Sequence, residues 1–362
     1  MKKKVALLGA TGSIGRAALE VIRDAPDQFE VALLTAHRNI GALKELAVEF
    51  PYAQCTIDNI ASAIKNSDAD IAINGIAGAG GLEPSFAVVE AGMDLALANK
   101  ETMVMAGALI QRKAAQTGSH IIPVDSEHSA LFHLLLAHGA GAVEELLLTA
   151  SGGPFLNHTE EQLARVTVEE ALVHPTWKMG SVITVNSATM ANKGLEVIEA
   201  ARFFDLPLER IKVVIHRQST VHSMIRCKDG TVYAQLSVPT MRLPIQKSLY
   251  YPYSAPEPLI ERLNFDNLTL SFEKPDYERF PLLAMAYQAE REGPLYPVAY
   301  NAANETAVGA FLQGRLRFLD IAKIVEYVLK QDWNGAAADR QVIWETDAHA
   351  RYLAEQSISF IV

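Results

Sequence analysis

Close to its start the chain runs four apolar residues, Val5-Ala6-Leu7-Leu8, directly into Gly9-Ala10-Thr11-Gly12-Ser13-Ile14-Gly15. A short apolar run ended by closely spaced glycines reads as a strand turning sharply into a helix, because glycine tolerates both the turn and the close backbone approach. Such a turn leaves backbone amides facing outward at a helix N-terminus, where a pyrophosphate can sit. The spacing is GxxGxxG, and a plain turn could use the same residues. Its position between a first strand and a helix is what favours nucleotide binding.

The same alternation continues to about Val124. Apolar runs at 5–8, 31–35, 71–73, 95–98 and 121–124 are expected strands, and Leu43, Leu46, Ala47 and Phe50 lie between them at helical spacing. Strands separated by amphipathic helices form βαβ units, so the first part of the chain is expected to be a doubly wound parallel sheet. Beyond Asp125 the order changes. Runs at 146–149, 182–185, 213–216 and 232–236 are expected strands mixed with helices, the last following the hairpin signal Asp229-Gly230. Residues 251–258, rich in Pro and Tyr, read as a linker or extended crossover, and helical patterns dominate from about Phe280. The fold class is therefore α/β, with expected divisions at 1–124 (nucleotide domain), 125–250 (catalytic domain), 251–279 (linker) and 280–362 (small C-terminal helical domain).

Composition limits the partners. The 362 residues carry 32 Lys and Arg against 42 Asp and Glu, a formal charge of −10 that argues against nucleic-acid or anionic-membrane surfaces. An anionic substrate must then be held by a local cluster of donors. Cys55 and Cys227 are the only cysteines and lack metal-ligand spacing, which fits a reducing compartment and argues against zinc or a disulfide frame. The basic Met1-Lys2-Lys3-Lys4 precedes an apolar run too short for a signal peptide, and nothing approaches the roughly 18 apolar residues of a membrane span. A cytoplasmic protein with no membrane partner is expected.

Several short motifs carry chemistry, each beside a plainer reading. After the second expected strand stands His37-Arg38-Asn39, with no acidic residue to bind a ribose hydroxyl. A guanidinium there can pair with a 2′-phosphate, which favours NADPH over NADH; a solvated surface Arg is the alternative. The glycine-rich 74–81 could admit a cofactor or be a mobile loop, and Asn99-Lys100-Glu101 sits just past a strand, where open sheets place their ligands. Asp125 and Glu127 flank Ser126 at a strand end. In extended chain they would face one side, and with no adjacent Lys or Arg a hard divalent cation would relieve their repulsion, although such acidic pairs are often simply solvated. In 187–199, helical spacing aligns Asn192, Glu196 and Glu199 on one face with Lys193 at its border and Ser187 near the N-cap, a set suited to phosphate and metal or to an exposed polar face. Ser151, before Gly152-Gly153, could cap a phosphate or merely make a turn. His174-Pro175-Thr176-Trp177-Lys178-Met179-Gly180 has the composition of a lid, while a Trp is also a common core residue.

Taken in order, GATGSIG, ANKE, PVDSEHSA, SGGPF, HPTWKMG and NSATMANKGLEVIEA, with the later QSTVHSMI and NAANETAVGAFL, resemble the 1-deoxy-D-xylulose 5-phosphate reductoisomerase family over essentially the whole chain. The resemblance implies a Rossmann-like N-terminal domain, NADPH and Mg²⁺ or Mn²⁺ as cofactors, a small phosphosugar substrate and a homodimer. It assigns NADPH contacts to Thr11, Gly12, Ser13, Ile14, His37, Arg38, Asn39, Asn99, Glu101 and Gly180. Metal ligation falls to Asp125, Glu127 and Glu196, which with Lys100 form the implied catalytic set. Substrate contacts fall to Lys100, Ser126, Glu127, Ser151, His174, Ser187, Asn192, Lys193 and Glu196, with Trp177 of the lid segment beside them. Ser151, Ser187, Asn192 and Lys193 are the implied phosphate end. The chain departs where the family often has Gly-Lys-Asn (here His37-Arg38-Asn39), a Pro at Arg217 and a Gly at Ala150.

The implied reaction isomerises 1-deoxy-D-xylulose 5-phosphate and reduces the product to 2-C-methyl-D-erythritol 4-phosphate, a step of non-mevalonate isoprenoid synthesis. A semialdehyde dehydrogenase, the rival enzyme with a GATG opening, needs an activated Cys, and neither Cys55 nor Cys227 has a context that would activate one. A non-catalytic NADPH sensor, the other rival, has no use for the three carboxylates.

Overall fold

The computed structural model describes residues 1–177 and 179–361, which divide into two compact units. The first comprises Met1–Thr102, Gly107–His133 and Thr240–Leu263. Its sheet contains β1 (Lys3–Leu8), β2 (Phe29–Thr35), β3 (Gln54–Thr56), β4 (Ile71–Asn74), β5 (Asp94–Leu97) and β6 (Ile121–Pro123) in the order β3-β2-β1-β4-β5-β6, and every neighbouring pair is parallel. The connecting helices are α1 (Ser13–Asp24), α2 (Ile40–Glu49), α3 (Ile60–Asn66), α4 (Leu82–Glu90) and α5 (Lys100–Thr117), with α6 (Ser126–His138) following β6.

Both faces of this sheet are covered, so its central strands are continuous apolar runs: Val5, Ala6, Leu7 and Leu8 are all buried, as are Ile71, Ala72 and Ile73. In α1 the buried residues Gly15, Ala18, Leu19, Val21 and Ile22 form one stripe, and burying a Leu or Ile there contributes about 1.5–3 kcal/mol. β2 lies on one side of β1 and β4 on the other, so the chain reverses its direction of travel across the sheet at β1. At such a switch point an open parallel sheet has its ligand crevice, outside the carboxyl ends of β1 and β4.

The second unit comprises Met103–Ala106, Leu134–Pro239 and Asn264–Val362. Its sheet has the order β10-β9-β7-β8, built from β7 (Val143–Ala150), β8 (Ile211–Ile215), β9 (Val221–Cys227) and β10 (Val232–Leu236). Only β7 and β8 are parallel; β9 runs against both β7 and β10. The hairpin signal at Asp229-Gly230 joins β9 to β10, with Gly230 at φ +88° and the Thr231 amide donating to Asp229 Oδ1 (2.9 Å). The helices are α7 (Glu160–Leu163), α8 (Val168–Ala171), α9 (Ser181–Ala188) and α10 (Ala191–Phe204). After α11 (Arg242–Tyr250) come α12 (Pro281–Glu292), α13 (Tyr296–Leu312), α14 (Asp320–Leu329) and α15 (Arg340–Ile361).

Two outcomes differ from the sequence reading. The expected strand at 182–185 is helix α9, whose Thr184, Val185, Asn186 and Ala188 are buried. Burial against α10 and α13 overrides the β preference of its branched residues. Strands β3 and β9 went unforeseen: β3 is only three residues long, and β9 buries His222 and Ser223, which interrupt its apolar pattern. In the first unit, α11 packs on α1, Arg242 pairs with Asp24, and Lys3 Nζ donates to the carbonyls of Leu249 (3.0 Å) and Tyr251 (3.2 Å). Residues 251–258 carry no helix or strand. Among the described residues no helix is long and apolar enough to cross a membrane.

Candidate active site

At the crevice of the first unit, Gly12 caps α1 with no side-chain acceptor on its amides, and the first turn carries no acidic residue. The positive end of a 12-residue helix is thus presented with its backbone donors open, as an anion requires. Gly15 is fixed by contact: a Cβ there would lie 2.5 Å from the Ala10 backbone, so only glycine lets α1 start so close to β1. His37, Arg38 and Asn39 are exposed at the carboxyl end of β2, and Asn39 Oδ1 caps α2 by accepting from the Ala42 amide (3.1 Å). Asn99, at the end of β5, is buried and caps α5 through Oδ1. Its Nδ2 donates to the carbonyls of Ile76 and Gly78 (both 2.8 Å) and to Glu101 Oε2 (2.7 Å). With Asn74 Nδ2 on the Gly81 carbonyl (2.8 Å), this ties the glycine-rich 74–81 at both ends. Thr11, Gly12, Ser13, Ile14, His37, Arg38, Asn39, Asn99 and Glu101 therefore share the carboxyl ends of β1, β2 and β5, while Gly180 caps α9 in the second unit.

The acidic pair takes a different form from the one its sequence predicts. Asp125 is not followed by extended chain but stands before α6, where its Oδ1 accepts from the Glu127 amide (3.1 Å), while Glu127 lies in the first helical turn. Ser126 Oγ donates to Glu127 Oε2 (2.6 Å). A cation also stands close by, contrary to expectation: Lys100 Nζ is 2.9 Å from Asp125 Oδ2, with both side chains largely buried. The sequence hid this pairing because β5 and β6 are neighbours, which brings Lys100 and Asp125 together across 25 positions. His128, wholly buried with Nδ1 3.0 Å from Asp125 Oδ1, is a site residue the sequence reading missed; its spacing of three from Asp125 in a helix was the available signal.

In the second unit, α10 buries the charged face that could have been solvated: Lys193, Glu196 and Glu199 are each less than 5% exposed. Glu196 Oε1 accepts from Asn192 Nδ2 (2.5 Å) and Oε2 from Lys193 Nζ. Ser187 is not near the cap of α10, as expected, because Met190 occupies that cap in the left-handed region and Ser187 belongs to α9. It is nevertheless brought to Ser151. His174 Nε2 lies 3.1 Å from Ser151 Oγ and 3.0 Å from Ser187 Oγ, and Nδ1 accepts the amides of Thr176 (3.1 Å) and Trp177 (2.9 Å).

That geometry fixes the protonation state. An Nδ1 accepting two amides carries no proton, so Nε2 holds it, and the two serine oxygens share that one N–H. Burial agrees, lowering the His174 pKa to about 4. Ser151 Oγ also accepts from the Gly153 amide (3.2 Å), so its own hydrogen is left to donate to an anion. Gly153, at φ +68°, has the Ser187 carbonyl 2.7 Å from where a Cβ would lie, which clamps the turn after β7 to the end of α9. Trp177 is half-buried, its ring centroid 6.2 Å from that of His222, and so is neither a core residue nor free in solvent. Lys178 of the same segment lies outside the described residues.

A parallel sheet in this order with an open helix N-terminus at its switch point, accompanied by a unit of clustered phosphate-type donors and buried carboxylates, defines a dinucleotide-dependent enzyme of the oxidoreductase class. Comparison with known proteins narrows the class. The profile of 1-deoxy-D-xylulose 5-phosphate reductoisomerase matches residues 5–61 and 53–107, and two profiles of C-terminal domains of the same enzyme match 121–204 and 236–353. The reductoisomerase of Treponema denticola is 46% identical over 98% of this chain and 96% of its own, and that of Treponema pallidum 45% over 99% and 98%. Among solved structures, a reductoisomerase complex with NADPH, fosmidomycin and magnesium superposes with a TM-score of 0.92 at 34% identity, covering 99% of each chain. The Zymomonas mobilis enzyme in complex with NADPH gives 0.90 at 37%, also over 99% of each. The chain belongs to the 1-deoxy-D-xylulose 5-phosphate reductoisomerase family.

Proposed function

We infer that the chain catalyses the NADPH- and divalent-metal-dependent isomerisation and reduction of 1-deoxy-D-xylulose 5-phosphate to 2-C-methyl-D-erythritol 4-phosphate, in non-mevalonate isoprenoid precursor synthesis. The observation that carries this is full-length identity of 42–46% to curated reductoisomerases, together with 99% coverage of a homologue solved with NADPH, fosmidomycin and magnesium.

The residues present fit such cofactors. Asp125, Glu127 and Glu196 offer only oxygen donors, the preference of Mg²⁺ and Mn²⁺, and Glu196 is a buried carboxylate whose negative charge already draws an ammonium. Asp125, Glu127 and Glu196 would hold the cation, which would supply Lewis acidity to the vicinal oxygens of the sugar. Lys100 adds positive charge beside Asp125. The phosphate is held by Ser151, Ser187, Asn192 and Lys193, with the His174 Nε2–H orienting both serine hydroxyls so that their hydrogens face the anion. The pyrophosphate of NADPH rests on the start of α1 (Thr11 to Ile14), and Arg38 pairs with the 2′-phosphate. Asn99 and Glu101 support the nicotinamide side through the loop they fasten. Trp177 covers the sugar and excludes water, and Gly180 contacts NADPH.

Two broader readings accompany this. A homodimer is supported by β10, an end strand of its sheet that exposes Val232 and Tyr233. A cytoplasmic location is supported by the free thiols of Cys55 and Cys227. The decisive experiment mixes protein, NADPH, Mg²⁺ or Mn²⁺ and 1-deoxy-D-xylulose 5-phosphate and follows oxidation of the cofactor. Turnover should vanish with chelator and fall sharply in Glu196→Gln while NADPH still binds; full activity in either case would remove the metal mechanism.

A further inference from the structure

Helix α9 should not be a helix by its own sequence. Val182, Ile183, Thr184 and Val185 are four consecutive β-branched residues, the element is only eight residues long, and it has neither a side-chain cap nor an acidic first turn. Its conformation has to be imposed from outside. From α13, Asn304 Nδ2 donates to Asn186 Oδ1 of this helix, at 2.9 Å. Asn304 is wholly buried and Asn186 is 4% exposed.

A buried amide is costly unless bonded, so this pair selects one rotational setting of α9. Turning the helix by one residue swings Asn186 by about 100°, which would strand both amides away from water. The setting it selects puts the next residue, Ser187, against His174 Nε2. Asn304 belongs to the buried residues of α13, on which Asn301 donates to Glu305 (3.1 Å) and Glu305 accepts from Arg351 of α15 (2.7 Å). The Asn304–Asn186 hydrogen bond thus links α13 to the helix that carries Ser187.

We propose that Asn304 is a positioning residue for the phosphate cradle: by bonding Asn186 it holds α9 helical and in register, and so sets Ser187 beside His174. This rests on the phosphate role of Ser187 given above. It also gives the C-terminal helices a part in substrate recognition without any contact to substrate.

The test compares Ser187→Ala, Asn304→Leu, Asn186→Leu and the double variant Asn186→Leu/Asn304→Leu. Asn304→Leu should raise KM for the phosphosugar about tenfold, the scale of one lost buried hydrogen bond, with KM for NADPH within about twofold. Hydrogen exchange should accelerate at the amides of α9 while the core of α13 stays protected. In the double variant neither amide is left unpaired, so thermal stability should return most of the way toward the starting value, whereas KM should stay raised because the register-setting bond is still absent; full recovery of KM would overturn the positioning role. Should Asn304→Leu not accumulate as folded protein, Asn304→Ser takes its place, with the same direction expected. If Ser187→Ala raises KM but the Asn304 variants leave both KM and α9 exchange unchanged, the positioning role is overturned and the cradle stands. If Ser187→Ala itself leaves KM unchanged, the cradle reading falls and this proposal falls with it.

Discussion

The chemistry at single residues depends on which protonation state and which partner the fold enforces. His174 is the clearest case, since two backbone amides on Nδ1 force the proton to Nε2. Its folded pKa of about 4 lies below the ordinary 6.5, so between those values the unfolded chain binds a proton that the folded chain refuses. The contribution to stability is complete above about pH 6.5 and is lost as the pH falls toward 4. The unfolding midpoint of the native protein should therefore drop more between pH 7 and pH 5 than that of His174→Gln. Some of the drop should remain in the variant, because burial lowers His133 to about 4 as well; equal drops would mean the His174 imidazole titrates normally. Arg38 makes a simpler statement, exposed at the end of β2 with no acidic residue beside it in sequence. Arg38→Ala should raise KM for NADPH by about tenfold or more and hardly touch that for NADH, and a matching rise for both cofactors would exclude the 2′-phosphate pairing.

At the scale of elements, helix and turn junctions decide what meets what. The turn after β7 and the end of α9 touch through Gly153, where a side chain would need both a left-handed backbone and space that the Ser187 carbonyl occupies. Gly153→Ala should therefore destabilise the protein by about 1–3 kcal/mol and raise the phosphosugar KM, read from thermal unfolding and steady-state kinetics. A stable variant with an unaltered KM would mean that the two serines do not act together. The segment after β8 offers a contrast. Arg217, which stands where the family commonly has Pro, pairs through two nitrogens with Glu273 (2.7 and 3.0 Å) and donates to Asn157 (3.1 Å), but both partners of the ion pair are substantially exposed. A pair so solvated is screened by water and salt, so this departure from the family is a local fastening only.

For the whole molecule the proposed dimer is the first matter to test. If β10 pairs with a second copy, Tyr233→Lys should shift the mass measured by light scattering from two chains to one, whereas an unchanged mass would point to a different interface. The sequence by itself determined the parallel sheet, because strands buried on both faces must be continuous apolar runs and the glycines after β1 admit little else. It also determined the family, through motifs whose order is shared along the full length of its relatives. It could not determine that Lys100 meets Asp125, that 182–185 is helical, or that α11 returns to pack on α1. Each of these rests on groups distant in the chain, and local propensity carries no information about a partner 25 or 200 positions away. Tertiary structure decided them because a buried charge or amide must find its complement wherever the fold provides one, and in α9 that requirement outweighed the preference of four branched side chains for a strand.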